Sequence, residues 1–435
     1  MLNFTVNAGD ALRGRLRVPG DKSISHRAIM LGSLAEGISR VEGFLEGADC
    51  LATLNAFRAM GVVIEGPDQG RLIIHGVGLH GLQAPTEPLD MGNSGTAMRL
   101  LAGILAGQRF DSVLVGDASL NRRPMRRIIE PLNLMGAQID ATDSATAPLH
   151  IRGDRRLTGI NYRMPVASAQ VKSCVLLAGL YAQGRTVVTE PAPTRDHTER
   201  LLQGFCYPVE KQDSDIMLTG SGRLQACAID IPADISSAAF FMVGASIAPH
   251  SDVLLEHVGI NPTRTGIIQI LQRMGADITV LNERLSGGEP VADIRVKSAA
   301  LHGIEIPPEW VPLAIDEFPA VFIAAACAEG ETVLTGAEEL RLKESDRITV
   351  MAEGLQTLGI SAQPTADGMR IQGGQLTGGT VASHTDHRIA MAFAMAAVRA
   401  DGPIHIRDCA NVNTSFPGFA ALARGVGLTL QEQVE

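Results

Sequence analysis

The chain has 435 residues, 45% apolar and 19% charged, which makes it globular and long enough for two or three domains. A net charge of -10 and only 4% aromatic residues argue against a nucleic-acid binder, and no apolar run reaches the roughly 18 residues of a membrane span. Six cysteines at 50, 174, 206, 227, 327 and 409 have no paired spacing, so reduced thiols in a cytoplasm are expected, not a disulfide framework or a zinc site.

Met1 to Arg17 alternates charge and apolarity and has no signal-peptide core. A strand is expected over Ala11–Val18, followed by a Pro19-Gly20 connection. Asp21-Lys22-Ser23-Ile24-Ser25-His26-Arg27 then opens a helix that continues over Ala28–Ala35. Ala59-Met60-Gly61-Val62-Val63-Ile64 reads as a helix stop, a turn and a short β-branched strand. That pattern returns at Leu134-Met135-Gly136-Ala137-Gln138-Ile139, Arg273-Met274-Gly275-Ala276-Asp277-Ile278, Thr357-Leu358-Gly359-Ile360 and Gly425-Val426-Gly427-Leu428. A degenerate copy, Gly204-Phe205-Cys206-Tyr207-Pro208-Val209, fills the middle. Glycine suits the residue after a helix end because the chain there turns through the left-handed conformation. Near-regular steps of about 70 residues indicate repeated α/β units, six in all. They divide three plus three, with the break near Ala228-Ile229-Asp230: one domain over 21–229, the other over 1–20 plus 230–435. Two crossings between domains suit a hinge that closes on substrate.

A helix N-terminus is already partially positive and normally attracts Asp or Glu. This chain places cations there five times: Lys22 and Arg27, Arg122-Arg123-Pro124 before Met125–Met135, Thr194-Arg195-Asp196-His197, Lys343-Glu344-Ser345-Asp346-Arg347, and Asp386-His387-Arg388 before Ile389–Val398. One such cation is ordinarily a solvated surface charge, but five imply anions bound at these ends, a local basic cleft in an acidic protein. Gly92-Asn93-Ser94-Gly95-Thr96, leading into a helix with Arg99 in its first turn, lets backbone N–H groups approach a ligand; alone it reads equally well as an ordinary N-cap. Gly76-Val77-Gly78-Leu79-His80-Gly81 matches a dinucleotide fingerprint by letter, yet Pro85 and Pro88 forbid the helix that motif needs. No metal or cofactor motif is present. Two carboxylates are acid–base candidates: Asp316, in Asp316-Glu317 before an apolar helix Pro319–Ala328, and Glu344, three residues before Arg347. Taken alone, the first reads as a helix cap and the second as a structural ion pair.

Together these segments resemble the enolpyruvyl transferases over the whole chain. Lys-Ser-x-Ser-x-Arg at 22–27, Gly-Asn-x-Gly-Thr-x-x-Arg at 92–99, Arg-Arg-Pro at 122–124, Ser168-Ala169-Gln170, Lys-Glu-Ser-Asp-Arg at 343–347 and Asp-His-Arg at 386–388 carry the likeness. They look like the branch acting on shikimate 3-phosphate. The sister branch acting on UDP-N-acetylglucosamine has Lys-Asn where this chain has Lys22-Ser23, and a reactive Cys near Arg122, whereas no Cys lies between 50 and 174. A non-catalytic anion-binding module would explain the cations but not Asp316 and Glu344. The resemblance implies a two-domain fold of six βαβαββ repeats, three per domain, with the active site in the interdomain cleft, acting as a monomer without cofactor or metal. It implies that Lys22, Ser23, Arg27, Ser168, Gln170, Arg195 and Lys343 hold shikimate 3-phosphate, and that Lys22, Gly95, Arg123, Gln170, Arg347 and Arg388 hold phosphoenolpyruvate. Asp316 would take the proton of the 5-hydroxyl, and Glu344 would protonate the methylene carbon. Ala169, Thr414 and Glu339 stand where many members have Ser, Lys and Asn.

Overall fold

In the computed structural model, which describes residues 2–9 and 11–434, six helices end in the same way. Ala48–Ala59, Arg126–Leu134, His197–Gly204, Gly266–Arg273, Arg347–Thr357 and Phe419–Gly425 each run into one buried apolar residue and then a residue of positive φ. At the first end Gly61 N donates to Arg58 O (3.0 Å) and Val62 N to Phe57 O (3.1 Å), and the same pair of bonds recurs at the other five. This is the Schellman stop, which satisfies carbonyls that the last turn would otherwise orphan. Five of the turning residues are the repeat glycines, with φ from 84° to 112°; in the degenerate copy Cys206 takes the place at φ 60°. The repeat seen in the sequence is therefore a repeat of one backbone device.

Each stop delivers the chain into a small sheet. Strand Glu36–Glu42 pairs antiparallel with Arg71–Val77, which pairs antiparallel with Val63–Asp68, while Ala228–Asp230 joins the first strand in parallel. The same order, one parallel neighbour and two antiparallel steps, holds for the sheets containing Ser112–Val115, Arg185–Thr189 and Ile404–Arg407. Asp252–Gly259 follows suit, its parallel neighbour being the N-terminal strand Arg13–Leu16. In the remaining sheet, around Glu331–Leu334, a single parallel bridge between Glu305 and Val333 stands for the parallel strand.

The chain forms two compact units, residues 20–231 with 286–288, and residues up to 19 with 232–285 and 289 onward. Three helices in each are buried almost throughout: Lys22–Leu34, Gly95–Leu105 and Ala169–Gly179 in one, Ile235–Ile247, Phe318–Ala326 and His387–Ala396 in the other. Small residues let them pack closely; a Cβ on Gly103 would run into the carbonyl of Cys174 on the neighbouring helix. Among the described residues no helix is long and apolar enough to cross a membrane. Two details differ from expectation. The helix expected from Met125 begins at Arg126, since Met125 N is held by Ala145 O at 2.8 Å. Glu317 stands at the N-cap of the helix Phe318–Ala326 but its side chain makes no capping hydrogen bond.

Substituting the turning residues has opposite signs. Gly136→Ala must hold a Cβ at φ 100°, 3.0 Å from the carbonyl of Arg156, and is expected to cost about 1–2 kcal/mol. Cys206→Gly relieves the same conformation and is expected to stabilise by about 0.5 kcal/mol after the glycine entropy is subtracted. Denaturant midpoints of the two variants check both signs.

Candidate active site

In the first unit the buried helices begin with the residues singled out in the sequence. Asp21 caps Lys22–Leu34 by accepting from Ile24 N at 2.8 Å, and Lys22, in the first turn, pairs closely with Asp49 at the start of the next helix. Arg27 is buried; its Nε donates to Thr198 Oγ1 and its Nη2 to Ser173 Oγ, both at 2.7 Å, and its Nη1 to the Ser23 carbonyl at 2.9 Å. Between them His26 is buried with Nδ1 2.8 Å from Thr53 Oγ1. Burial first, and then the charges of Lys22 and Arg27, push its pKa well below the usual value, so it is neutral and the local charge stays on its neighbours.

Ser94 caps the helix that starts at Gly95, and two guanidiniums stand over that start. A Cβ built on Gly95 would lie 2.9 Å from Arg99 Nη1 and 3.3 Å from Arg123 Nη1. Arg123 is oriented by Asn93 Oδ1 (2.7 Å) and Arg99 by Gln170 Oε1 (2.7 Å), while Gln170 Nε2 donates to Thr96 Oγ1 (3.0 Å). Two cations gathered on the positive end of a helix repel each other and that end, and an anion placed there relieves both. Ser168 caps the helix Ala169–Gly179, and Arg195 sits half-buried two residues before the helix His197–Gly204.

The second unit gathers the two candidate carboxylates on one cation. Arg347 begins the helix Arg347–Thr357 with its side chain 1% exposed. Its Nε donates to Asp386 Oδ2 at 2.8 Å, its Nη2 to Glu344 Oε2 at 2.6 Å, and its Nη1 lies 3.5 Å from Asp316 Oδ1. Burial opposes the charge on Asp386, but the guanidinium overcomes it and holds the carboxyl below its usual range; Asp386 and Glu344 in turn raise the Arg347 pKa. Nη1 is buried and makes no hydrogen bond among the described residues, which leaves a donor for an arriving anion. Lys343 Nζ approaches Asp316 Oδ1 at 3.3 Å and Glu339 Oε1 at 3.1 Å. Arg388 Nη1 donates to the Asp316 carbonyl at 3.0 Å and stands 4.0 Å from the buried Glu317. Thr414 turns its hydroxyl onto the Asn411 carbonyl at 2.7 Å.

Each unit therefore brings its own singled-out residues to the starts of its helices. Sequence reasoning missed Asp49, Arg99 as the partner of Gln170, and Asp386 as the counter-charge of Arg347. A first-turn Asp and a helix-capping Asp look ordinary in a sequence, so only the pairing distances reveal them. Among the described residues no three His, Cys, Asp or Glu side chains are placed to hold a metal ion.

The family model for EPSP synthase (3-phosphoshikimate 1-carboxyvinyltransferase) matches residues 6–422. A 3-phosphoshikimate 1-carboxyvinyltransferase of Alkalilimnicola ehrlichii is 69% identical, covering 99% of this chain and 96% of that one; one of Methylococcus capsulatus is 67% identical, covering 98% of each. Among solved structures, EPSP synthase of Acinetobacter baumannii superposes with a TM-score of 0.91 at 59% identity over 100% of both chains. The enolpyruvyl transferase NikO of Streptomyces tendae, 15% identical with a TM-score of 0.79 over 100% of this chain and 99% of that one, shares the fold. Family model, relatives and fold agree along the whole length: this chain belongs to the EPSP synthase family.

Proposed function

We propose that the chain transfers the enolpyruvyl group of phosphoenolpyruvate to the 5-hydroxyl of shikimate 3-phosphate, releasing phosphate, and does so in the cytoplasm, as a monomer and without a cofactor. The observation that carries this reading is the shared guanidinium: Arg347 touches Glu344 at 2.6 Å and Asp316 at 3.5 Å. The hydroxyl attacks the carbon that bears the phosphate, and that carbon becomes electrophilic only as its methylene neighbour takes a proton. One acid and one base must act on the same substrates. Asp316 takes the hydroxyl proton and Glu344 delivers one to the methylene carbon, giving a tetrahedral intermediate; its new methyl group then gives up a proton as phosphate leaves, which restores the carbon–carbon double bond of the enolpyruvyl group.

The substrates bring two phosphates and two carboxylates. Lys22, Ser23, Arg27, Ser168, Gln170, Arg195 and Lys343 bind shikimate 3-phosphate, and Lys22, Gly95, Arg123, Gln170, Arg347 and Arg388 bind phosphoenolpyruvate. Because these groups come from both units, the reaction needs the whole chain. Phosphate release should require both substrates together; release from phosphoenolpyruvate alone, or none with the pair, overturns the reading.

Removing the base should separate chemistry from binding. Asp316→Ala is expected to abolish turnover while calorimetry still detects both ligands, since affinity rests on the cations. Near-normal turnover would remove Asp316 from the mechanism.

Arg123→Ala deletes one charge-assisted contact, worth about 1.5–3 kcal/mol. The Michaelis constant for phosphoenolpyruvate should rise about ten- to hundredfold and that for shikimate 3-phosphate far less. Equal changes would show that Arg123 does not serve phosphoenolpyruvate.

Gly95→Ala presses a methyl against Arg99 and Arg123, which must give way. Phosphoenolpyruvate affinity should fall, and glyphosate, a longer anion competing for the same place, should lose more. The glyphosate inhibition constant of both forms, with phosphoenolpyruvate varied, checks this. Inhibition of the alanine form as strong as that of wild type would show that Gly95 does not face the ligand.

A further inference from the structure

The acid–base scheme leaves one buried ammonium without a task. Lys172 lies on the helix Ala169–Gly179, two residues beyond Gln170 and four beyond Ser168, with its side chain 1% exposed. Its Nζ lies 2.9 Å from Glu190 Oε1 and 2.7 Å from Glu199 Oε1, and donates to the Thr194 carbonyl at 3.5 Å. Both carboxylates are themselves nearly buried, 4% and 9% exposed. Taking three ions out of water costs several kcal/mol each, so the cluster is a poor source of stability compared with an apolar packing of the same volume. What it supplies is geometry.

The three partners of Lys172, Glu190, Thr194 and Glu199, all lie in the stretch 190–199 that carries Arg195. Glu190 Oε1 also accepts from Thr194 N at 3.2 Å and closely from the Thr194 hydroxyl, so it folds residues 190–194 into a closed loop. Arg195 is the next residue. Glu199 lies in the first turn of the helix His197–Gly204, beside Thr198, whose hydroxyl meets Ser173 Oγ at 2.7 Å and accepts from Arg27 Nε at 2.7 Å. Lys172 and Ser173 are adjacent, and between them they clamp the 194–199 segment onto the helix that Ser168 caps.

We infer that Lys172 is a positioning residue for shikimate 3-phosphate: through Glu190 and Glu199 it sets Arg195 and the 194–199 turn against Ser168, Gln170 and Arg27. It touches no substrate. Arg123 is oriented by Asn93, Ser94 caps the helix that begins at Gly95, and Gln170, which serves both ligands, is held by Arg99 and Thr96, all outside the cluster, so the larger effect falls on shikimate 3-phosphate. This inference rests on the proposed assignment of shikimate 3-phosphate to these residues.

The test is calorimetric titration of shikimate 3-phosphate into wild type, Lys172→Met and the double variant Lys172→Met/Glu199→Gln, with Michaelis constants for both substrates and melting temperatures. Lys172→Met leaves two buried carboxylates facing each other and is expected to lower the melting temperature; the double variant restores the net charge of the cluster and so recovers folding. Both should bind shikimate 3-phosphate at least tenfold more weakly than wild type, while the Michaelis constant for phosphoenolpyruvate, at saturating shikimate 3-phosphate, changes less than twofold. If Lys172→Met does not fold, the double variant carries the same comparison. Shikimate 3-phosphate affinity within twofold of wild type in a folded variant, or equal losses for both substrates, overturns the inference. Wild type that fails to bind shikimate 3-phosphate would overturn the proposed function instead.

Discussion

A guanidinium buried to 1% exposure cannot be left without counter-charge, and Arg347 imposes that condition on half of the proposed chemistry. Asp386, itself fully buried, answers the charge at Nε. Asp386 also caps the helix His387–Ala396 by accepting from Arg388 N at 2.9 Å, so one carboxylate fixes both the cation and the helix start that carries Arg388. Arg388 then donates to the Asp316 carbonyl, which ties down the segment bearing Asp316. Three stretches far apart in sequence, around 316, 344 and 386, are thus held to one another by a single ionic centre. Removing Asp386 would strand the buried guanidinium, and removing Arg347 would strand the buried Asp386.

In the first unit Lys22 and Lys172 also meet carboxylates, Lys22 with Asp49 and Lys172 with Glu190 and Glu199. Arg27, Arg99 and Arg123 are held by hydroxyls, side-chain amides and a backbone carbonyl. Neutral partners of this kind fix the direction of a guanidinium without cancelling its charge. Placed at helix starts that are already positive, such groups are set for an anion. These contacts orient the three guanidiniums, and the proposed function directs them at substrate charge. The chain as a whole carries a net charge of -10, so the basic character is a local construction.

The sequence disclosed those features that depend on local backbone conformation. The Met-Gly turns mark the helix ends because a left-handed residue there is a local requirement, and even the degenerate copy keeps the geometry, with Cys206 at φ 60°. The same holds for the cations at helix starts. Partnership across long separations was not legible. Arg347 and Asp386 are 39 residues apart, and Arg99 and Gln170 are 71 apart. Nothing in local composition marks those pairs, since Asp386 reads as a cap and Arg99 as a solvated first-turn cation. Asp316 read alone as a helix cap; in the structure its carboxylate faces Lys343 and Arg347.

The shared guanidinium also bears on how two carboxylates could take opposite parts in the proposed reaction. An acid must hold a proton at the moment its partner base lacks one, and environments that differ between the two are what separate them. Asp316 faces two cations, Lys343 at 3.3 Å and Arg347 Nη1 at 3.5 Å, whereas Glu344 meets the same guanidinium through Nη2 at 2.6 Å. Nη1 is a buried donor without a hydrogen bond among the described residues, so an anion accepted there would enter beside both carboxylates. The proposed acid–base pair and the proposed binding of phosphoenolpyruvate thus meet on one side chain.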